Sequence, residues 1–146
     1  MNFLMCSVGR RGELLKDFRK SMSTDSRLIA TDNSQYAPAL YFADKAYIVP
    51  KITDEEYIPT LLDICRTEDI AAIATFIDPE IEILAKNRKI FGEEGIKVLV
   101  PYFETAKLCF DKYKMYKHLI AHNIPTIPTY GDMEEFYVAY QKKQIG

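Results

Sequence analysis

The sequence is short of several things, and each shortage narrows what the protein can be. Net charge is one: 19 basic and 21 acidic residues leave a formal charge of −2. No basic surplus exists to drive binding to nucleic acid. Cysteine is another. Cys6, Cys65 and Cys109 lie far apart, with no CxxC spacing. An odd, dispersed set argues against a disulfide framework or a zinc ribbon and fits a reducing cytosol. Each reads first as a small buried hydrophobe. Long apolar runs are missing too. Nothing approaches the ~20 apolar residues that a membrane-spanning helix needs. The apolar start at residues 3–6 is too short for a secretory leader, and its arginines follow it instead of preceding it. Internal repeats and low-complexity segments are absent. The expectation is a cytoplasmic protein with neither nucleic-acid nor membrane partners.

What is present is an apolar fraction of 48% over 146 residues. That suits one α/β domain with a short extension, able to bury roughly two thirds of its unfolded surface. Strand and helix signals alternate. Residues 2–8, 27–31, 46–49, 70–76 and 97–100 read as strands, the fourth long and apolar enough to be central. Residues 13–22, 54–66, 79–91 and 103–108 read as helices, with Asp54 as a cap and Pro79 suited to a first turn. Residues 38–42 fit one helical turn. This order predicts a mostly parallel five-stranded sheet with helices on both faces. The pattern then changes. Asp111 caps a helix that runs to Asn123, Pro125 and Pro128 force an extended stretch, and Asp132 opens a last helix reaching Lys143. No strand follows, so residues 111–146 read as the cut-off start of a second domain.

The loop Ser7-Val8-Gly9-Arg10-Arg11-Gly12 sits between the first strand and the first helix. Glycines there permit a tight turn and close approach of an anion to a helix N-terminus. Asp32 follows Gly12 by 20 residues, as a ribose-binding acid does in dinucleotide folds. The fingerprint G-x-G-x-x-G, however, needs glycine at position 7, which is Ser7, and Arg10 and Arg11 crowd the turn. Three readings stay open: a turn shaped by Gly9 and Gly12, an anionic ligand met by Arg10 or Arg11, and a nicotinamide site.

Other groupings have two readings each. Asp32 and Asn33 end the second strand, where doubly wound folds place ligands, yet both are also turn formers. Asp78 and Glu80 follow the central strand, where they could hold a ligand or simply favour a helix N-terminus. Lys112 in the first turn of a helix is electrostatically unfavourable unless it reaches an anion, although surface lysines are common. His118 and His122 share a helix face, but Leu119 stands where the zinc-protease motif needs Glu. Lys112, Lys114 and Lys117 interleave with Tyr113 and Tyr116 in the manner of a solvated face. No catalytic or metal-ligating residue emerges.

Four stretches together resemble the N-terminal part of ATP-grasp enzymes similar to the carbamoyl phosphate synthase large subunit: SVGRRG at 7–12, ATDNSQYAPALYFADKAYIVPKI at 30–52, IDPEIEILAKN at 77–87 and DKYKMYKHLIAHNIPTIPTY at 111–130. The resemblance implies a Rossmann-like, three-layer pre-ATP-grasp domain over residues 1–110 and the opening helices of a truncated ATP-grasp domain over 111–146. It implies a ligase that uses ATP and magnesium to turn a small-molecule carboxylate into an acyl phosphate, which an amine or other nucleophile then attacks. Lys112 then inherits contact with ATP phosphate. Gly9, Arg10 and Arg11 inherit contact with substrate, and Asp32, Asn33, Asp78 and Glu80 lie at the same strand ends. The sequence stops before the family's main ATP-binding lysine, glycine-rich lid and magnesium ligands, so the expectation is a chain inert alone. A nicotinamide- or nucleotide-sugar-binding domain and a non-catalytic assembly module remain the alternatives. Apolar surface on the last two helices would favour a homodimer.

Overall fold

The computed structural model describes residues 1–142, so the expected helix end at Lys143 and the residues after it lie outside the description. The chain divides into two compact units, Met1–Ala106 and Lys107–Gly146.

The first unit is built on five strands: β1 (Asn2–Cys6), β2 (Leu28–Asp32), β3 (Lys45–Ile48), β4 (Ile70–Thr75) and β5 (Lys97–Val98). Their spatial order is β3-β2-β1-β4-β5, and every pairing is parallel. The expected sheet was mostly parallel; the observed one is wholly so. Helices α1 (Gly12–Ser21), α2 (Tyr57–Thr67), α3 (Asp78–Lys86) and α4 (Arg88–Glu93) connect the strands, with a 3-10 turn over Pro38–Phe42 between β2 and β3.

Alternation along the strands splits the core into two layers. Leu4, Cys6, Ile29 and Ile73 face Tyr57, Leu61, Cys65, Leu84 and Phe91, the layer of α2, α3 and α4. Phe3, Met5, Leu28, Ala30, Ala72 and Ala74 face Leu15 of α1 and Ala39 and Leu40 of the 3-10 turn.

Local departures from expectation have physical reasons. Asp54 does not cap α2. Its Oδ1 accepts from the Glu56 amide (3.0 Å) and its carbonyl accepts from the Tyr57 amide (3.1 Å), closing a separate turn before the helix begins. The helix expected over 79–91 is two. Asn87 ends α3, its side-chain amide donating back to the Ile83 carbonyl (2.9 Å), and α4 restarts at Arg88.

The second unit carries α6 (Lys112–Ala121) and α7 (Met133–Gln141), while α5 (Phe103–Phe110) runs across the boundary between the units in the chain. Asp111 caps α6 through the Lys114 amide (3.0 Å) and Asp132 caps α7 through the Glu135 amide (2.8 Å), as their positions predict. Tyr113 and the Gly131 amide both reach the Glu135 carboxylate, joining the two helices.

Candidate functional site

In a sheet of order 3-2-1-4-5, the chain leaves β1 toward one edge and later returns to the other. The crevice between the carboxyl ends of β1 and β4 is where doubly wound folds take ligands. A cavity of about 420 Å³ lies at these ends, lined by Ser7, Gly9 and Arg11 after β1, Asp32 and Asn33 after β2, Lys51, Ile52 and Thr53 after β3, and Ile77 after β4.

The turn after β1 is wound tightly. Ser7 (φ 48°) and Gly9 (φ 52°) both adopt left-handed backbone, which costs about 1 kcal/mol or more for a residue with a Cβ. Ser7, standing where the fingerprint calls for glycine, takes a glycine-like conformation. Asp32, only 7% exposed, holds the turn: its Oδ2 accepts from the Gly9 amide (2.7 Å) and its Oδ1 from the Ser34 amide (2.9 Å). The Gly9 carbonyl in turn accepts from Ala39 (3.1 Å). Both Asp32 oxygens are thus engaged by backbone of the loops they join. The bare face of Gly12 is filled by Phe42, whose ring would lie 2.5 Å from an added Cβ. That glycine admits a neighbouring side chain, where the dinucleotide pattern would need it to admit a pyrophosphate.

Arg11 crosses the mouth of the crevice. Its Nη1 donates to the Ser7 carbonyl (3.3 Å) and its Nη2 to the Phe76 carbonyl (3.4 Å), so it spans the ends of β1 and β4. With the exposed Lys51 it gives the cavity two cations. An anionic group is the partner such a rim suits.

Below the cavity floor stands Glu80, wholly buried. Its Oε1 accepts from the Tyr57 hydroxyl and its Oε2 from the Thr75 hydroxyl (2.5 Å). Burial pushes the Glu80 carboxyl up, against the pull of these hydroxyls. Burial likewise pushes Tyr57 and Cys6 up, and Cys65 to about 12. A thiol so raised is no nucleophile at neutral pH.

The sequence-predicted residues therefore separate. Gly9, Arg11, Asp32 and Asn33 meet at the cavity. Arg10 and Asp78 are exposed and outside its lining, and Glu80 is in the core beneath it. Neither reading of the Asp78–Glu80 pair anticipated this: no side chain caps α3, and Glu80 turns inward. Lys112 lies in the second unit, its Nζ donating to the Cys109 carbonyl (2.9 Å). Lys51, Ile52 and Thr53 were missed, although the rule that ligands gather at parallel strand ends points to the segment after β3. Among the described residues no group of three or more His, Cys, Asp or Glu could hold a metal ion, and no helix is long and apolar enough to cross a membrane.

Residues 3–99 match a family model described as PylC-like, N-terminal domain. No curated protein sequence matches the chain. Solved structures do. N5-carboxyaminoimidazole ribonucleotide synthetase from Thermotoga maritima superposes with a TM-score of 0.60 at 22% identity, over 92% of this chain and 34% of its own. The Staphylococcus aureus N5-carboxyaminoimidazole synthetase, complexed with ADP, gives 0.61 at 17% identity over 87% and 31%. The biotin carboxylase domain of a single-chain bacterial carboxylase gives 0.61 at 18% over 99% and 34%. The chain spans about a third of each of these relatives. The fold in common is the N-terminal portion of ATP-grasp enzymes.

Proposed function

The chain belongs to the PylC-like N-terminal domain family, and from that premise we propose that it supplies the substrate-side wall of an ATP- and magnesium-dependent carboxylate–amine ligase. In this reading residues 1–110 are a pre-ATP-grasp domain and 111–146 begin the ATP-grasp domain. The carboxylate is activated as an acyl phosphate and captured by an amine, as in enzymes similar to carbamoyl phosphate synthase. The protein works in the cytoplasm. The cavity holds a small acid through Arg11 and Lys51, with Gly9 and Asn33 offering polar contacts and Asp32 keeping the loops in register. Lys112 reaches nucleotide phosphate. In this reading the 146 residues, which span about a third of the enzymes they resemble, do not turn over by themselves.

One observation carries the reading: a cation-rimmed cavity at the carboxyl ends of β1 to β4, on a fold that ATP-grasp ligases and carboxylases use. Its lining supports binding more than chemistry, since its one buried carboxylate is engaged by backbone amides. The same engagement of Asp32, and the ring of Phe42 on Gly12, weigh against a nicotinamide site.

The test is a titration followed by amide and side-chain chemical shifts, using small mono- and dicarboxylates, amino acids, ADP and NADH in turn. Carboxylates should shift Gly9, Arg11, Asn33 and Lys51, and Arg11→Ala should abolish the effect. Tight NADH binding centred on Gly9 and Asp32 would overturn the proposal, as would carboxylates that leave these residues unmoved.

A further inference from the structure

The walls of the cavity are separate chain segments, and what keeps them apart lies in the core. Residues 51–53 follow β3 and Ile77 follows β4. Among the described hydrogen bonds, one group joins residues 49–57 to residues 75–77, the Glu80 carboxyl. A buried carboxyl is costly unless its oxygens are hydrogen-bonded. Here each oxygen serves a different wall.

On one side Oε1 accepts from the Tyr57 hydroxyl, 23 residues earlier in the chain. Tyr57 opens α2 and closes the segment after β3, which is a run of hydrogen-bonded turns. The Val49 amide donates to the Asp32 carbonyl (3.0 Å), the Asp54 amide to the Lys51 carbonyl (2.9 Å) and the Tyr57 amide to the Asp54 carbonyl (3.1 Å). Lys51, Ile52 and Thr53 therefore hang between two fixed points, Val49 on the sheet and the Tyr57 side chain on Glu80.

On the other side Oε2 accepts from the Thr75 hydroxyl (2.5 Å). That hydroxyl has one proton to give, and the Cys6 carbonyl is the farther acceptor at 3.5 Å. Its oxygen is left to accept from the Ile77 amide (3.3 Å). The Ile77 carbonyl takes the amides of Glu80 and Ile81, each at 3.1 Å. The wall after β4 is thus tied to Glu80 through side chain and backbone alike.

We propose that Glu80 is a positioning residue that acts as a crosspiece: by accepting from Tyr57 on one side and Thr75 on the other, it fixes the spacing of the β3 and β4 walls and so the width of ligand the cavity admits. The width matters to a ligand only through the proposed function of the cavity. The joining of the walls does not rest on that reading, and it is tested without a ligand.

The test reads each wall while the opposite one is altered, by amide hydrogen exchange in the full chain, with Leu4 in the middle of β1 as the reference for general loosening. Tyr57→Phe removes one oxygen on the β3 side. It should speed exchange of the Ile77 amide about threefold or more beyond any change at Leu4. Thr75→Val cuts the β4 side and should do the same to the Tyr57 amide. Thr75→Ser keeps the hydroxyl and should leave the Tyr57 amide within about twofold of the parent. The two cuts read the crosspiece from opposite ends, so one that does not fold leaves the other decisive. Rises confined to the altered wall, equal rises at Leu4, or Thr75→Ser behaving as Thr75→Val would overturn the inference. With ligand, the preference for an unbranched over a branched carboxylate should fall about threefold or more in Tyr57→Phe, and an unchanged preference would overturn the assignment of width. Carboxylates that fail to bind the parent chain would sink the proposed function and leave the exchange result standing.

Discussion

The two ends of the sheet each bury a glutamate, and they treat it in opposite ways. At the amino end Glu68, 4% exposed, meets the Lys45 ammonium, the Tyr47 hydroxyl and the Arg27 guanidinium (3.0 Å), while its backbone carbonyl accepts from Asn2 (2.6 Å). The Lys45 contact first, then Tyr47, holds its carboxyl below the usual carboxylate range. At the carboxyl end Glu80 meets hydroxyls, and burial pushes it the other way. The cations at that end, Arg11 and Lys51, face the cavity. Burial alone thus does not decide what a glutamate does; its partners do. At one end the cations pair with the glutamate; at the other they line the cavity, Arg11 donating to backbone carbonyls.

Loss of each carboxyl tests that contrast most strongly. Glu80→Leu strands two buried hydroxyls and should cost about 2–5 kcal/mol in denaturant unfolding. Glu68→Leu releases Lys45 and Arg27, both half exposed, back to water and should cost only about 1–2 kcal/mol after screening. A larger loss at Glu68 would break the comparison.

Next comes pH, with opposite signs at the two ends. Because the Glu68 carboxyl is lowered in the fold, its contribution is complete above the ordinary glutamate value near 4.3 and is lost as pH falls through the lowered one. Because that of Glu80 is raised, the unfolded chain ionises first, and stability declines as pH climbs past the ordinary value until the folded group ionises too. Unfolding free energy measured from pH 3 to 9 should show Glu68→Gln flattening the acid limb and Glu80→Gln flattening the decline above it. The same slope from both variants would show that partners do not matter.

Smaller still is the turn itself. Ser7→Gly should raise stability by about 0.5–1 kcal/mol, the relief of left-handed strain less the added freedom of the unfolded chain. A loss would mean that the Ser7 hydroxyl contributes more than its backbone costs. Least of all, Glu13→Gln removes an exposed pair with Lys16 and should leave the melting curve where it was.

The layers were legible because periodicity is local. Leu4 and Ile73 alternate with Phe3, Ala72 and Ala74 in the sequence as they do across the sheet, and Asp111 and Asp132 lie one residue before the helices they cap. The strand-end cluster of Gly9, Arg11, Asp32 and Asn33 was legible for the same reason, since parallel topology alone brings those loops together. What escaped depends on distant partners. An acid in the first turn of a helix reads as favourable for its N-terminus, and nothing near Glu80 in the chain announces Tyr57, 23 residues earlier. The role of Gly12 depends on Phe42 in the same way. Asn87 was a missed stop because neither glycine nor proline marks it.

The rims of the sheet have a consequence for the company the protein can keep. An edge strand offers free backbone groups to any other chain that can extend alongside it. Here one rim is β5, two residues long, and the other is β3, four residues long and opening on Lys45. Neither provides the length of flat, apolar ribbon on which copies could stack edge to edge. Growth of the sheet across molecules is discouraged from both sides.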